Sequence, residues 1–271
     1  MDIIYYNIDG GIMKTPITYY GGKQKLVKHI LTLIPEHSCY VEPFTGGGAV
    51  FFAKELAKVN VLNDTFDELV NFYRTFKENP EAVIKGLDAL PYARRIYRQF
   101  LDKYRRKDYK DNIEKAVVYY YLQEASLACN CGTGFGTSKV INEAAIFYNR
   151  KNRLSEAITK LRNTIIENLD AVEVIKKYDG KYTFFYIDPP YINTCQGHYK
   201  GYTEDDYKLL LDTLKQIQGK FILSSYSNDL LKSFIFEIKY KVKYVYTKCH
   251  AKKVKSGDKR EDRTELLVYN Y

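Results

Sequence analysis

The sequence predicts an α/β fold in which helices cover both faces of a mostly parallel sheet, with an antiparallel edge hairpin and a mainly helical insertion. Three observations lead there. Strand-like and helical runs alternate over the first third and again over the last third of the chain, as βα units do. Between Asp64 and Asp188, strand-like sequence returns only near 164–166 and 182–187, and helical periodicity fills much of the rest. Finally, two strand-like runs, 239–247 and 265–271, close the chain across a basic loop.

Taken in order, residues 1–12 match no element and read as an N-terminal extension. Apolar side chains at Leu26, Val27, Ile30, Leu31 and Ile34 share one helical face, which predicts a helix over 24–34 closed by Pro35. A short strand, 39–42, runs into the turn Pro43-Phe44-Thr45-Gly46-Gly47-Gly48. A helix over 49–58 and a strand over 59–62 follow, and that strand ends at Asn63-Asp64. The insertion, 87–162, contains helices at 93–104 and 113–128 and a glycine-rich loop at 131–137. Beyond it the sequence predicts a helix over 204–217 with Thr203 as N-cap, a strand over 220–225 and a helix over 229–236. The catalytic body is therefore 13–86 together with 163–271.

Composition narrows the function classes. The 271 residues are 45% hydrophobic and 28% charged, ordinary globular usage. No apolar run approaches the ~20 residues of a membrane span, and no basic stretch and apolar core announce a secretory signal, so a cytoplasmic location is expected. Five cysteines, odd in number and without paired C-x-x-C spacing, argue against a disulfide framework or a metal site. A net charge of +9 favours a polyanionic partner, although an AT-rich genome also enriches lysine.

Two motifs carry chemistry. A glycine-rich turn between strand and helix lets a ligand approach the backbone, and Asp64, ending the next strand, is placed to accept hydrogen bonds from ribose hydroxyls. The turn is neither G-x-G-x-x-G nor a P-loop, so a phosphate cradle is the weaker reading. Asp188-Pro189-Pro190-Tyr191 directly follows the apolar run Phe184-Phe185-Tyr186-Ile187. Two prolines fix the backbone and remove two N–H donors, which leaves rigid acceptors. Such acceptors suit an exocyclic amine. Its lone pair is delocalised into the ring until its hydrogens are bound and the nitrogen is drawn toward tetrahedral geometry. Tyr191 offers a face on which an extruded base can stack.

The ordered set Thr18-Tyr19-Tyr20-Gly21-Gly22-Lys23, Val41 to Gly48, Leu62-Asn63-Asp64 and Asp188-Pro189-Pro190-Tyr191 resembles the signatures of the Dam-like (D12 class, alpha subgroup) N6-adenine DNA methyltransferases. The final run, Arg263 to Tyr271, is similar to that family's last strand. The resemblance implies a Rossmann-like S-adenosylmethionine-dependent fold with an inserted target-recognition domain at 87–162. It implies cofactor contacts for Tyr19, Lys23, Phe44, Gly46, Gly48, Asp64, Asp170 and Asp188. Tyr19 stands where relatives often have tryptophan, and a helix N-cap is the competing reading for Asp170. Catalysis falls to Asp188, Pro189, Pro190 and Tyr191, without a metal.

Residues 94–110 hold eight Lys or Arg against two Asp, and Tyr97, Phe100, Leu101 and Tyr104 recur at helical spacing. The apolar stripe reads as core and the basic flank, with Arg94, Arg95, Arg98, Arg105 and Arg106, as phosphate-facing. Residues 239–263 add ten Lys or Arg against three acids, including Lys252, Lys253 and Lys255. The segment 192–202 reads as a loop that orders over the extruded base, with His198 as a surface residue. Double-stranded DNA is the expected partner, and a cognate restriction endonuclease a possible companion. N4-cytosine methylation, methylation of RNA or a protein amide, and a DNA-binding module without activity are the rival readings.

Overall fold

The computed structural model describes residues 13–19, 21–192, 201–248 and 262–271. Its strands are β1 (Cys39–Glu42), β2 (Val59–Asn63), β3 (Ile165–Glu167), β4 (Thr183–Ile187), β5 (Lys220–Tyr226), β6 (Lys241–Lys248) and β7 (Asp262–Tyr269). They form one sheet in the order β3-β2-β1-β4-β5-β7-β6. The first five in that order run parallel, and β7 lies antiparallel to both β5 and β6. This is the predicted α/β class with its antiparallel edge pair. The order reverses between β1 and β4, and such a switch point opens a crevice at the carboxyl ends of the strands.

Helices α1 (Val27–Leu31), α2 (Ala49–Ala53), α3 (Asp67–Glu78), α4 (Pro80–Asp88), α5 (Arg94–Arg106), α6 (Asn112–Ala125), α7 (Glu143–Arg162), α8 (Ala171–Tyr178), α9 (Glu204–Leu214) and α10 (Asp229–Ile238) surround it. The central strands are buried on both faces, so successive residues enter different cores. Tyr40, Phe184 and Tyr186 pack with Phe51, Phe72 and Tyr119, whereas Val41, Phe185 and Ile187 pack with Leu211, Leu214 and Phe234. Neither face is wet, which is why these strands read as continuous apolar runs.

Within the insertion, α6 is buried on all sides from Ala116 to Ala125. It gives Ala116, Val117, Tyr119 and Tyr120 to the main core, and Val118, Tyr121, Leu122 and Ala125 to a smaller core around Tyr97 and Phe147. A helix apolar all round must be enclosed. The insertion is thereby packed onto the catalytic body.

The helices expected at 113–128 and 204–217 stop at Ala125 and Leu214, and two others depart further. The one placed at 24–34 is a 3₁₀ turn, Lys23–Lys25, followed by α1, although Leu26, Val27 and Ile30 are buried as the spacing requires. Pro35 disfavours helical geometry at the residue before it, so the chain leaves the helix early. The one placed at 49–58 stops at Ala53, where Lys54 turns extended. Lys160, on α7, donates to the carbonyls of Phe52 and Lys54 and so satisfies the early end. Thr203 caps α9 as predicted, in a reciprocal capping box with Asp206.

Candidate active site at the carboxyl edge of the sheet

Four loops leave the carboxyl ends of β1 to β4 side by side. After β1 the chain turns at Gly46 and Gly48, with φ of +48° and +66°, backbone that L side chains rarely adopt. Space is also short: a Cβ at Gly46 would lie 3.1 Å from the Tyr19 ring, and one at Gly48 3.0 Å from the Phe52 ring. Tyr19 is thus seated across the turn. Buried Glu42 anchors the turn from beneath, accepting from the Tyr40 hydroxyl at 2.6 Å and the Phe51 amide at 2.8 Å. Burial pushes its carboxyl up to about 8, so it sits in the fold as a neutral acid near neutral pH.

Asp64 follows β2 and is buried. One carboxylate oxygen accepts from the Gly46 amide and the other from the Phe66 amide, both at 2.9 Å. The carboxylate thereby braces the glycine turn against the start of the loop after β2. Asn63 completes the assembly: its amide donates to the carbonyls of Pro43 and Leu169 and its oxygen accepts from the Leu169 amide. This one side chain ties together the loops after β1, β2 and β3. Its position in Leu62-Asn63-Asp64 was legible, but not its task. Asp170, after β3, caps α8 by accepting from Val172 at 2.8 Å. It also lines a cavity of 330 Å³ with Phe44, Thr65, Phe66, Val172, Pro190 and Tyr202. The N-cap reading of Asp170 is what the geometry shows, and its place in the cavity lining leaves the side chain beside open space.

On the other side of β1, β4 delivers Asp188. Lys23 reaches it from the segment before α1, with Nζ 2.8 Å from Oδ1. The sequence pairs Lys23 with the cofactor; its nearest charged partner is the reaction-centre carboxylate. Tyr191 donates its hydroxyl to the same Oδ1 at 3.2 Å. Among the described residues, Lys23 and Tyr191 both meet Asp188 at Oδ1. Burial raises the Asp188 carboxyl above the usual range, and Glu265 adds to this, while Lys23 opposes it. For Lys23 itself burial acts downward, but the Asp188 and Glu265 carboxylates outweigh it and hold the ammonium above its ordinary value. Tyr191 turns more than a flat face to the site: Lys23 Nζ stands 4.8 Å from its ring centre and Tyr226 meets it edge-on at 4.5 Å.

The DNA-facing candidates separate. Arg94, Arg95, Arg98, Arg105 and Arg106 all lie exposed on α5, whose single buried side chain is Tyr97. Arg106 pairs with Asp102, and Arg94 lies over the Phe135 ring at 5.1 Å. Arg95, Arg98 and Arg105 have no ion-pair partner among the described residues. Lys252, Lys253 and Lys255 lie outside the described residues, as do residues 1–12 and the stretch 193–200 containing His198. Among the described residues, no helix is long and apolar enough to cross a membrane.

A parallel sheet with a glycine turn after β1 and an acidic, doubly proline-stiffened acceptor loop after the adjacent β4 defines a methyltransferase acting on an amino group. The comparisons with known proteins name the amine. Residues 19–256 match the model of the D12 class N6 adenine-specific DNA methyltransferases, and the chain belongs to that family. It is 30% identical to the type II methyltransferase M1.LlaDCHI of Lactococcus lactis subsp. cremoris, over 93% of each chain. It is 25% identical to the type II methyltransferase M.CviBI of Paramecium bursaria Chlorella virus NC1A, over 96% of this chain and 100% of that one. It is 23% identical to the DNA adenine methylase of Haemophilus influenzae, over 93% and 92%. The chain is an adenine-specific DNA methyltransferase, with DNA as substrate and a methyl donor as co-substrate. The rival readings of cytosine, RNA or protein methylation give way to this one.

Proposed function

We propose that the methyl donor is S-adenosylmethionine, and that Asp188 and the Pro189 carbonyl accept from the N6 amine of an adenine extruded from duplex DNA. The observation that supports this most directly is the adjacency of the glycine turn and Asp188 on neighbouring strands, with the cavity reaching from Phe44 to Pro190. The residues fit the donor. Phe44, Phe66 and Val172 offer apolar faces for its purine and Asp170 an acceptor for its amino group; Asp64, braced on the Gly46 amide, is the acceptor for its ribose. Gly46 and Gly48 permit close approach of the backbone, with Tyr19 against that turn and Lys23 beside Asp188. When bound, the donor supplies a methyl group on a sulfonium, which needs no further activation.

The protein's own contribution is to hold and to stabilise charge. Asp188 Oδ2 and the Pro189 carbonyl bind the amine's hydrogens, draw its lone pair out of the ring and face the positive charge that grows there. Tyr191 and Pro190 border the space an extruded base would enter, Tyr191 offering its ring for stacking. Residues 87–162 act as the target-recognition domain, with the α5 arginines on phosphates and Lys252, Lys253 and Lys255 on a second DNA-facing loop. The names of the type II relatives support a cognate restriction endonuclease acting separately. A cytoplasmic location follows from the substrate.

Calorimetric titration with S-adenosylmethionine tests the donor site. Phe44→Ala is expected to weaken binding roughly tenfold by removing an apolar wall. Undiminished affinity would move the purine elsewhere. Sequencing modified bases in duplex DNA from cells expressing the chain should report N6-methyladenine in one sequence context; methylcytosine alone would overturn the reading of the amine.

A further inference from the structure

We propose that Glu265, in β7 opposite the end of β5, is a positioning residue of the reaction centre. It holds Lys23 and the Tyr191 hydroxyl so that Asp188 keeps Oδ2 free for the target amine. The inference rests on the proposed role of Asp188. Glu265 is 3% exposed and stands in a strand whose next residues, Leu266, Leu267 and Val268, are all buried and apolar. A carboxylate there is costly to bury and adds nothing to packing that an apolar residue would not. Its contacts explain its presence. Oε1 accepts from the Ser224 hydroxyl at 2.6 Å and from the Tyr191 hydroxyl, and lies 3.6 Å from Lys23 Nζ. Lys23 and Tyr191 are the same two groups that meet Asp188 Oδ1.

The topology brings Glu265 to this place. β7 runs against β5, with Glu265 opposite Tyr226, the last residue of β5, so this point of β7 lies at the edge where the parallel strands end. The groups facing Asp188 are Lys23 from the N-terminal segment, Glu42 from β1, Tyr186 from β4, Tyr191 from its own loop and Glu265 from β7; Tyr226 of β5 acts on Lys23. The carboxyl groups of Asp188 and Glu265 both face the one ammonium of Lys23, and a centre so rich in carboxyl oxygens suits an amine becoming positive.

Glu265→Gln keeps the size and one acceptor oxygen but removes the charge. In single-turnover methylation at saturating S-adenosylmethionine and duplex DNA, the rate is expected to fall about 10–100-fold near neutral pH. Affinities for donor and DNA should stay within about threefold. Because the lost carboxylate had helped to raise Asp188, the acid limb of the rate profile should move to lower pH. A merely structural role would lower the melting temperature and leave the limb in place, which would overturn the proposal. Should Glu265→Ala fail to fold, the Gln variant and its pH profile still decide. Asp188→Ala in the same assay separates the two layers. A parental rate there sinks the reading of the centre, whereas a slow Asp188→Ala beside a parental Glu265→Gln sinks only the present inference.

Discussion

The two walls of the site are built differently. The wall after β1, β2 and β3 is made of backbone held by neutral or locally satisfied groups: Asp64 on the amides of Gly46 and Phe66, Asn63 on three loop groups, Asp170 on the start of α8. The wall after β4 and beside β7 is made of charged and phenolic side chains that hold one another: Lys23, Asp188, Tyr191 and Glu265. A wall of fixed backbone binds, because its groups are already aimed and cost little to organise. A wall of charges gathered out of water responds most when charge develops on the substrate. Damage to the first should therefore appear as lost affinity, and damage to the second as lost rate.

The largest effect belongs to the charged wall. Asp188→Ala should lower the chemical step by about 10²–10³ in single-turnover methylation, with DNA binding little changed. A rate within a few-fold of the parent would remove the distinction between the walls. On the binding wall, Asp64→Ala should weaken S-adenosylmethionine binding by very roughly 1.5–3 kcal/mol in calorimetry, the scale for a hydrogen bond to a charged group. Unchanged affinity would make Asp64 a brace for the turn and nothing more.

Glu42 sharpens the comparison through pH. Its folded-state value of about 8 lies above the ordinary 4.5, so the folded protein holds this proton more tightly than the unfolded chain. The stability it contributes is complete below about 4.5 and is lost as pH rises through about 8. The slope is on the order of 1 kcal/mol per pH unit within that window. Lys54, lowered to about 8 by burial, works in the opposite direction only above that value. Urea melts of Glu42→Gln between pH 6 and 8 should show a flatter dependence than the parent; an equal slope would place the titration on another group. The smallest effect concerns neither wall. Neutralising Arg94, Arg95 and Arg98 together should flatten the salt dependence of DNA binding by up to about three counterions' worth of slope. An unaltered slope would turn α5 away from the DNA.

The binding wall was the more legible of the two, because its parts are contiguous. The glycine turn and Asp64 each sit at the end of an apolar run, as the Asp188 tetrapeptide of the other wall also does, and the parallel order of β1, β2 and β4 brings those ends to one edge. Glu265 was hidden for the converse reason. Its partners Tyr191, Ser224 and Lys23 are far away in sequence, and in Thr264-Glu265-Leu266-Leu267 it reads as the polar start of an edge strand. The available signal was its direction: an antiparallel last strand begins where the parallel strands end. Long-range satisfaction also set the ends of α2, through Lys160, which no local pattern contains. The stretch 67–88, assigned no element from sequence, forms α3 and α4, although Leu69, Phe72, Tyr73 and Phe76 recur at helical spacing and Pro80 opens the second helix. Both faces of α6 meet a core, and that depends on how residues 87–162 dock rather than on the helix's own period.

The division between the walls is tested most directly by saturation. Single-turnover rates of Asp64→Ala and Asp188→Ala would be measured on duplex DNA as S-adenosylmethionine is raised from the parental dissociation constant to about a hundredfold above each variant's own. Asp64→Ala is expected to climb back to within a few-fold of the parental rate, and Asp188→Ala to remain slow at every concentration. Recovery of Asp188→Ala by added donor alone would show that its carboxylate serves binding, and would contradict its place as the acceptor for the adenine amine.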